Sequence, residues 1–396
     1  MEHAVKNFNF LTEHKAIICF SAVDWQFLKQ RVHHLMAGFA RHGWKVLFIE
    51  NTGVRVPHWG DLPRMGQRLK SVLIKNVEKN NSFENLEVLS PLVPPFPYNQ
   101  AAVRYNQWFF TQQVGKFLKR CRLRPEEVVF WTYLATPVVV NLASSFSWGQ
   151  VVYDLVSDPK EVESHIAPYE RELLQKADVV FFASATLMEQ YKKQTKNPVL
   201  FRDGFNVELL KVEAEIPTEV AELPKPHLLY IGGINRKFWV EALEMLGKQI
   251  PNATLILLGP IDRAEITLPH LPNLYWFQPC KRYTDLAGFL KTADVALIPY
   301  HPDPYAGAMH PAKLNEYLVF GLPVVATATP ELKLLARQWP EKTLYLAETA
   351  EEFPQVVIKA IKEDSAEKRE YRQKSTKENR WDNRVQELFT IFNKRW

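Results

Sequence analysis

Residues 305–325, "YAGAMHPAKLNEYLVFGLPVV", place a lysine and a glutamate, Lys313 and Glu316, three positions apart between strong punctuation marks. On a helix that spacing puts both on one face. Pro311 suits the first helical turn, where no backbone N–H is needed. Gly321 suits the left-handed residue beyond the last turn, and Pro323 prevents continuation. Leu314, Tyr317 and Leu318 supply a buried side, and "PVVAT" reads as a short buried strand. A helix start, an ammonium and a carboxylate presented together above a strand suit an anionic ligand rich in hydroxyls. His310, at the expected helix start, is either a cationic contact or a cap substitute. After "HLLYIGG", Gly232 and Gly233 let backbone approach a ligand closely, or simply make a turn. Arg236 and Lys237 follow as phosphate-binding cations or as a solvated helix start; an Arg grips phosphate bidentately and a Lys does not. "YDLVSDP" offers two carboxylates, Asp154 and Asp158, at the C-terminal end of a strand, where open α/β sheets bind ligands. Asp24, Trp25 and Arg31 line the first strand–helix loop, with ordinary packing the alternative for Trp25.

The elements that must hold these residues alternate strand with helix. "KAIICF" (15–20) precedes an amphipathic stretch from Phe27 to His42. Then come "KVLFIE" (45–50), "LEVLS" (86–90), a helix around 99–121, "EVVFW" (127–131), "QVVYDL" (150–155) and "DVVFFAS" (178–184). Apolar runs of this length between helices indicate a parallel sheet covered on both faces. Residues 211–226, "KVEAEIPTEVAELPKP", are acidic, contain proline and lack a core-length apolar run, which predicts an interdomain linker. The pattern restarts with "HLLYIGG" (227–233), a helix over 238–249, "ATLILLG" (253–259), "NLYWFQ" (273–278), a helix over 283–292 and "DVALIPY" (294–300). The expected domains are therefore 1–210, a linker 211–226, and 227–375. Residues 376–396 close the chain with Trp381, Val385, Leu388, Phe389 and Phe392 at helical spacing, an amphipathic helix expected to return to the first domain.

At 396 residues and 46% hydrophobic content the chain suits two globular domains. No apolar run approaches a spanning helix of about 18–20 residues, and the N-terminus has no signal-peptide pattern. Three dispersed cysteines, Cys19, Cys121 and Cys280, predict reduced thiols rather than a structural zinc. Neither Asp-x-Asp nor a His-x-x-x-His pair occurs, so no essential metal is expected. The net charge of +5 conceals an asymmetry: residues 1–125 carry 18 Lys/Arg against 8 Asp/Glu, leaving −5 for the rest. A basic front suits an anionic partner, a phospholipid surface or nucleic acid, or is merely a solvated face. Within it, 54–75 sets Arg55, Arg64, Arg68, Lys70 and Lys75 among Trp59, Leu62, Met65, Leu69 and Leu73, and "YNQWFF" (105–110) adds aromatics. That pattern suits an interfacial segment or an ordinary cationic helix.

"MHPAKLNEYLVFGLPVVAT" resembles the signature of family-four glycosyltransferases, a Pro-x-Lys-Leu-x-Glu-Tyr helix followed by Gly and x-Pro-Val-Val. "VVYDLVSDP", "LLQKADVVFFASATLMEQY" and "FRDGFNVELL" are similar to the stretch that ends such enzymes' first domain, with "RDGFN" in place of an Asn-Gly-Val turn. "DWQFLKQRVHHLMAGFARHGWKVLFIE" looks like the opening of members that build bacterial exopolysaccharide and teichuronic acid. The resemblance covers nearly the whole chain. It implies the GT-B fold, two Rossmann-like doubly wound parallel-sheet domains facing a cleft, and transfer of a sugar from a nucleoside-diphosphate donor. The family pattern carries two Glu eight apart. The second matches Glu316 and implies ribose contact; the first position is Ala308, so donor-sugar handling falls elsewhere. Some exopolysaccharide members, the xanthan glucuronosyltransferase among them, share the fold but invert with an Asp base, which leaves the stereochemical outcome open.

On that resemblance, the amides of 309–312, Lys313, Arg236 and Lys237 hold the diphosphate without a metal, and "QPCKRY" (278–283) reads the base. An inverting transfer needs a base from the first domain, for which Asp158 is preferred and Asp154 is second; a helix cap is the other reading of Asp158. Asp24, Trp25 and Arg31 contact acceptor or donor. No cofactor is expected beyond a UDP-sugar co-substrate. The implied partners are the nucleotide-sugar donor, a lipid-linked or saccharide acceptor and an anionic membrane surface, in the cytoplasm or on the inner face of the plasma membrane. Two alternatives stay open: a nucleotide-sugar 2-epimerase on the same fold, and a non-catalytic nucleotide- or RNA-binding relative. Against RNA, the aromatics are not interleaved with the basic residues as a stacking platform would need.

Overall fold

A parallel strand covered on both faces has no polar side to show, which is why the strands here read as continuous apolar runs. A computed structural model describes residues 16–27, 29–50, 84–158, 164–280, 282–339 and 343–395. The N-terminal stretch 1–15 and the basic segment 54–75, with the membrane-facing expectation attached to it, lie outside the described residues. The chain divides into two compact units: residues 1–183, 187–201 and 384–396 form the first, and 184–186 with 202–383 the second.

The first unit is built on seven strands: β1 Ala16–Phe20, β2 Lys45–Ile49, β3 Leu86–Leu89, β4 Val128–Thr132, β5 Gln150–Leu155, β6 Val179–Phe182 and β7 Pro198–Leu200. They pair in the order β3-β2-β1-β4-β5-β6-β7, and every pairing is parallel. β1 and β4 are buried at every position, with Ile17 opposite Val46 on one side and Val129 on the other. The second unit has six: β8 His227–Ile231, β9 Thr254–Leu258, β10 Leu274–Phe277, β11 Val295–Ile298, β12 Val324–Thr327 and β13 Leu344–Ala347. Their order is β10-β9-β8-β11-β12-β13, again all parallel. In each sheet the order runs outward from its first strand and then restarts on that strand's other side. The reversals lie between β1 and β4 and between β8 and β11. At such points the two flanking loops diverge, leaving a crevice at the carboxyl ends of the strands.

The C-terminal helix, Trp381–Arg395, adds Arg384 and the residues after it to the first unit. Val385, Leu388, Phe389 and Phe392 are buried. Phe389 meets Phe39 edge-on at 5.2 Å, and Phe392 lies 5.9 Å from Phe181. Burying each large apolar side chain stabilises by about 1.5–3 kcal/mol. Val385 sits so close that a Cβ on Gly38 would stand 2.5 Å from its Cγ2, so position 38 has room only for hydrogen.

Residues 211–226, expected as a linker, fall inside the second unit, which takes over at Arg202. The short helix Thr218–Ala221 plants Val220, fully buried, among Leu229, Ile256 and Leu322. The Pro226 carbonyl accepts from Thr254 N at 2.9 Å. One apolar residue among acidic neighbours leaves no periodic trace, which is why the stretch reads as a linker in the sequence.

Candidate functional site

In the second unit, a tight constraint sits where β8 ends. Gly232 has φ +135°, a region that side chains rarely adopt, and a Cβ there would stand 2.7 Å from Lys313 Nζ. Lys313 opens the helix Lys313–Val319, and its ammonium lies 3.9 Å from the Tyr230 ring centroid and 5.3 Å from that of Tyr300. These two rings belong to β8 and to the segment following β11, so the lysine sits at the reversal point of the sheet. The helix is held there from several sides. Tyr317 Oη accepts from Ile231 N at 2.8 Å, and Leu314 and Leu318 are fully buried. Gly321, at φ +77°, closes it, and its carbonyl accepts from Nη1 of the buried Arg372 at 2.9 Å.

Burial pushes the Lys313 ammonium well below its ordinary pKa, neighbouring Lys237 pushes it further, and Glu316 opposes both. Lys237 is lowered in the same way, by burial first and then by Arg236, with Glu265 opposing. Among the described residues neither ammonium has a hydrogen-bonded carboxylate. Two desolvated cations near one another, one of them faced by the Tyr230 and Tyr300 rings and by Gly232, form a site that an anion would complete.

Glu316 stands on the same helix as Lys313. Burial raises its pKa, the Tyr283 hydroxyl and Lys313 lower it, and Asp203 raises it. Tyr283 donates directly to Glu316 Oε1. The phenol itself is pushed well above its usual range by burial and by that carboxylate. The structure thus brings Gly232, Gly233, Lys237, Lys313 and Glu316 into one neighbourhood. Arg236 lies at its margin: it is exposed, with its guanidinium 4.4 Å from the Tyr305 ring and its backbone N donating to Glu265 Oε2 at 3.1 Å.

Two expectations for this region need correction. The helix starts at Lys313 with Ala312 as its cap, so residues 309–312 are not its first turn. The preceding chain is occupied otherwise: Asp303 caps the short helix Pro304–Gly307 through Ala306 N at 2.7 Å, and Ser184 Oγ donates to the Ala308 carbonyl at 2.6 Å. His310 is not displayed to a phosphate. Its side chain is 4% exposed and its Nδ1 lies 3.9 Å from Oε1 of Glu331, a fully buried carboxylate whose Oε2 accepts from Thr186 N and Oγ1, each at 2.9 Å.

The carboxylates of the first unit have different lives. Asp154 is fully buried and takes Arg31 Nε on both oxygens, at 3.1 and 2.9 Å, with Nη2 at 2.9 Å. Arg31 Nη1 donates to the Phe201 carbonyl at 2.7 Å, and the guanidinium lies 4.8 Å from the Phe201 ring. This internal ion pair ties the helix Arg31–Arg41 to β5 and the end of β7, which removes both residues from the set of substrate contacts. Asp158 was expected to point freely away from its strand; it is 7% exposed, and its Oδ2 accepts from Tyr191 Oη at 2.7 Å and Gln190 Nε2 at 3.1 Å. Trp25 is core: it is 5% exposed, meets Phe48 edge-on at 4.9 Å, and its N donates to Glu50 Oε1 at 2.9 Å. Asp24 is half-buried, and its carbonyl meets a ring nitrogen of His33 at 3.0 Å.

Sequence reasoning missed Glu50, Tyr230 and the role of Tyr283. Glu50 anchors the first loop through Trp25 N and Ser90 Oγ. A charged residue ending the buried run "KVLFIE" was its signal. For Tyr283, read only as part of a base-reading loop, no signal exists in one sequence, because its partner is thirty-three residues away. No helix among the described residues is long and apolar enough to cross a membrane.

Comparison with known proteins places this geometry. Residues 225–363 match the family model described as glycosyl transferases group 1. The putative teichuronic acid biosynthesis glycosyltransferase TuaH of Bacillus subtilis (strain 168) is 25% identical over 262 residues, which cover 60% of this chain. The match spans 65% of that relative's length. Sucrose-phosphate synthase from Thermosynechococcus elongatus superposes with a TM-score of 0.63 at 17% identity, covering 96% of each chain. Anabaena HepE in complex with UDP superposes with a TM-score of 0.62 at 12% identity, covering 96% of this chain and all of that one. The two doubly wound parallel sheets are those of the GT-B fold.

Proposed function

We propose that this chain, whose residues 225–363 form a group 1 glycosyltransferase domain, moves a sugar from a nucleoside-diphosphate donor to a saccharide acceptor in cell-surface polysaccharide assembly. One observation carries the reading: the Lys313 ammonium, held between the Tyr230 and Tyr300 rings against Gly232, with Lys237 beside it and, among the described residues, no carboxylate bonded to either. In sugar transfer, charge develops on the leaving diphosphate. Preorganised cations in a desolvated site stabilise that charge more in the transition state than in the ground state. In this reading Lys313 and Lys237 bind the diphosphate, the Gly232–Gly233 backbone approaches it, and Glu316 accepts from the ribose hydroxyls. The uridine base fits the UDP bound to the structural neighbour HepE, and teichuronic acid biosynthesis, named for the B. subtilis relative, fits the polysaccharide assignment. With two ammoniums for the diphosphate, the transfer runs without a metal ion.

In the first unit, Asp158 stands beyond the carboxyl end of β5 and is the carboxylate proposed to receive the acceptor proton. A lipid-linked acceptor fits the outer face of the helix Gln100–Cys121, where exposed Tyr105 and Trp108 adjoin exposed Arg104, with exposed Leu92 and Phe96 preceding it. Aromatic rings beside a cation suit an anionic membrane surface, on the inner face of the plasma membrane in this reading.

The test is label transfer. Membranes of the source cell and a panel of labelled UDP-sugars should give lipid-extractable product from one donor, undiminished by EDTA. Lys313→Met should abolish it, and Asp158→Asn should lower kcat with little change in KM for the donor. No transfer from any donor contradicts the proposal.

A further inference from the structure

Tyr283 lies in the short turn Tyr283–Asp285 and is half-buried. Its hydroxyl donates to Glu316 Oε1 and so commits one carboxylate oxygen. Glu316 Oε2 makes no hydrogen bond with any described residue. A glutamate side chain turns about three torsions, and a carboxylate anchored at one oxygen keeps a fixed plane and direction for the other. A vicinal diol needs that direction, because its two hydroxyls donate along defined lines.

We propose that Tyr283 is a positioning residue: it sets the Glu316 carboxylate against the ribose of a nucleoside diphosphate, and thereby sets discrimination between ribose and 2′-deoxyribose. This rests on the reading of Glu316 as the ribose ligand. The charged and titratable groups facing the carboxylate are Lys313 on its own helix, Asp203 after β7, and Tyr283 itself, which in turn faces Glu208. Of these, Tyr283 and Lys313 favour the ionised carboxylate, while burial and Asp203 disfavour it. Ribose recognition by an acceptor-only carboxylate is lost as pH falls through the Glu316 pKa. Removing the phenol raises that pKa, so the loss begins at higher pH.

The experiment is calorimetric titration of UDP and 2′-deoxy-UDP into the full chain, wild type, Tyr283→Phe and Glu316→Gln, from pH 5 to 8. The ratio of the two affinities cancels any general effect of a substitution on folding or phosphate binding. Wild type should prefer UDP about tenfold, the scale of one hydrogen bond to a charged group. Glu316→Gln should lose the preference. Tyr283→Phe should reduce it to about threefold or less, with its acid limb displaced to higher pH. If wild type and Glu316→Gln behave as expected but Tyr283→Phe keeps the wild-type ratio and limb, the Tyr283 assignment alone is overturned. Equal affinity of wild type for the two nucleotides, or no binding of UDP, overturns the ribose reading and this inference with it.

Discussion

The two sheets reverse their strand order in the same way, yet the residues at the two reversal points have opposite characters. Beyond β1 the loop is filled by its own side chains: Trp25 packs on Phe48, Glu50 binds the Trp25 amide, and Arg31 is neutralised by Asp154. Beyond β8 the chain has two glycines, the Lys313 ammonium faces the Tyr230 and Tyr300 rings with Lys237 nearby, and among the described residues neither ammonium is bonded to a carboxylate. Strand order determines where a crevice can lie, but the residues after the first strand decide whether it is occupied by protein or kept for a ligand. A paired buried charge serves the fold. An unpaired one is a cost that only a ligand removes, so the second unit is where an anion should bind.

Four substitutions or conditions break or sharpen this contrast. The largest effect is expected for Asp154→Ala, which strands the Arg31 guanidinium in the core and should cost about 3–5 kcal/mol of stability, measured by denaturant unfolding. UDP affinity, a property of the second unit, should hardly move in the fraction that stays folded. Gly232→Ala forces a side chain into φ +135° and displaces the Lys313 ammonium. It should cost about 1–3 kcal/mol and also remove UDP binding, so its thermal shift with UDP should vanish.

Lys313→Met should do the reverse to stability: relieving a desolvated cation should raise the midpoint of the ligand-free protein, by roughly 1 kcal/mol, while UDP binding is lost. Here the sign follows from linkage. The Lys313 pKa is lowered on folding, so the unfolded chain binds the extra proton and ligand-free wild type gains stability as pH rises toward the ordinary lysine value of about 10.5. The variant should lack that slope, which unfolding curves across this range would reveal. The smallest effect is on affinity. UDP should bind more weakly as pH rises through the lowered pKa values of Lys313 and Lys237, at a pH below that of an exposed lysine, and titration calorimetry should follow the decline.

Much of the fold was legible because burial on both faces writes strands as unbroken apolar runs; "QVVYDL" matches β5 to the residue. β7, at three residues, was too short to stand out from its surroundings. The site was legible where one segment carries it, as with Lys313 and Glu316, or where glycine spacing marks a strand end, as at Gly232. It was illegible where partners are distant. Arg31 and Asp154 are 123 positions apart, so two residues that each read as a ligand turn out to satisfy one another. His310 failed for the same reason, since Glu331 waits beyond the next strand. Polar residues near a strand's carboxyl end serve either fold or ligand, and only tertiary pairing separates the two.

The most direct measurement is titration of UDP into wild type and Lys313→Met at pH 7, beside their ligand-free melting points. If the second unit keeps its cations for a nucleoside diphosphate, wild type binds UDP, and the variant binds at least about tenfold more weakly while melting no lower, a single charge-assisted contact being worth that much. Equal affinity in the two proteins, or no binding to wild type, would contradict it.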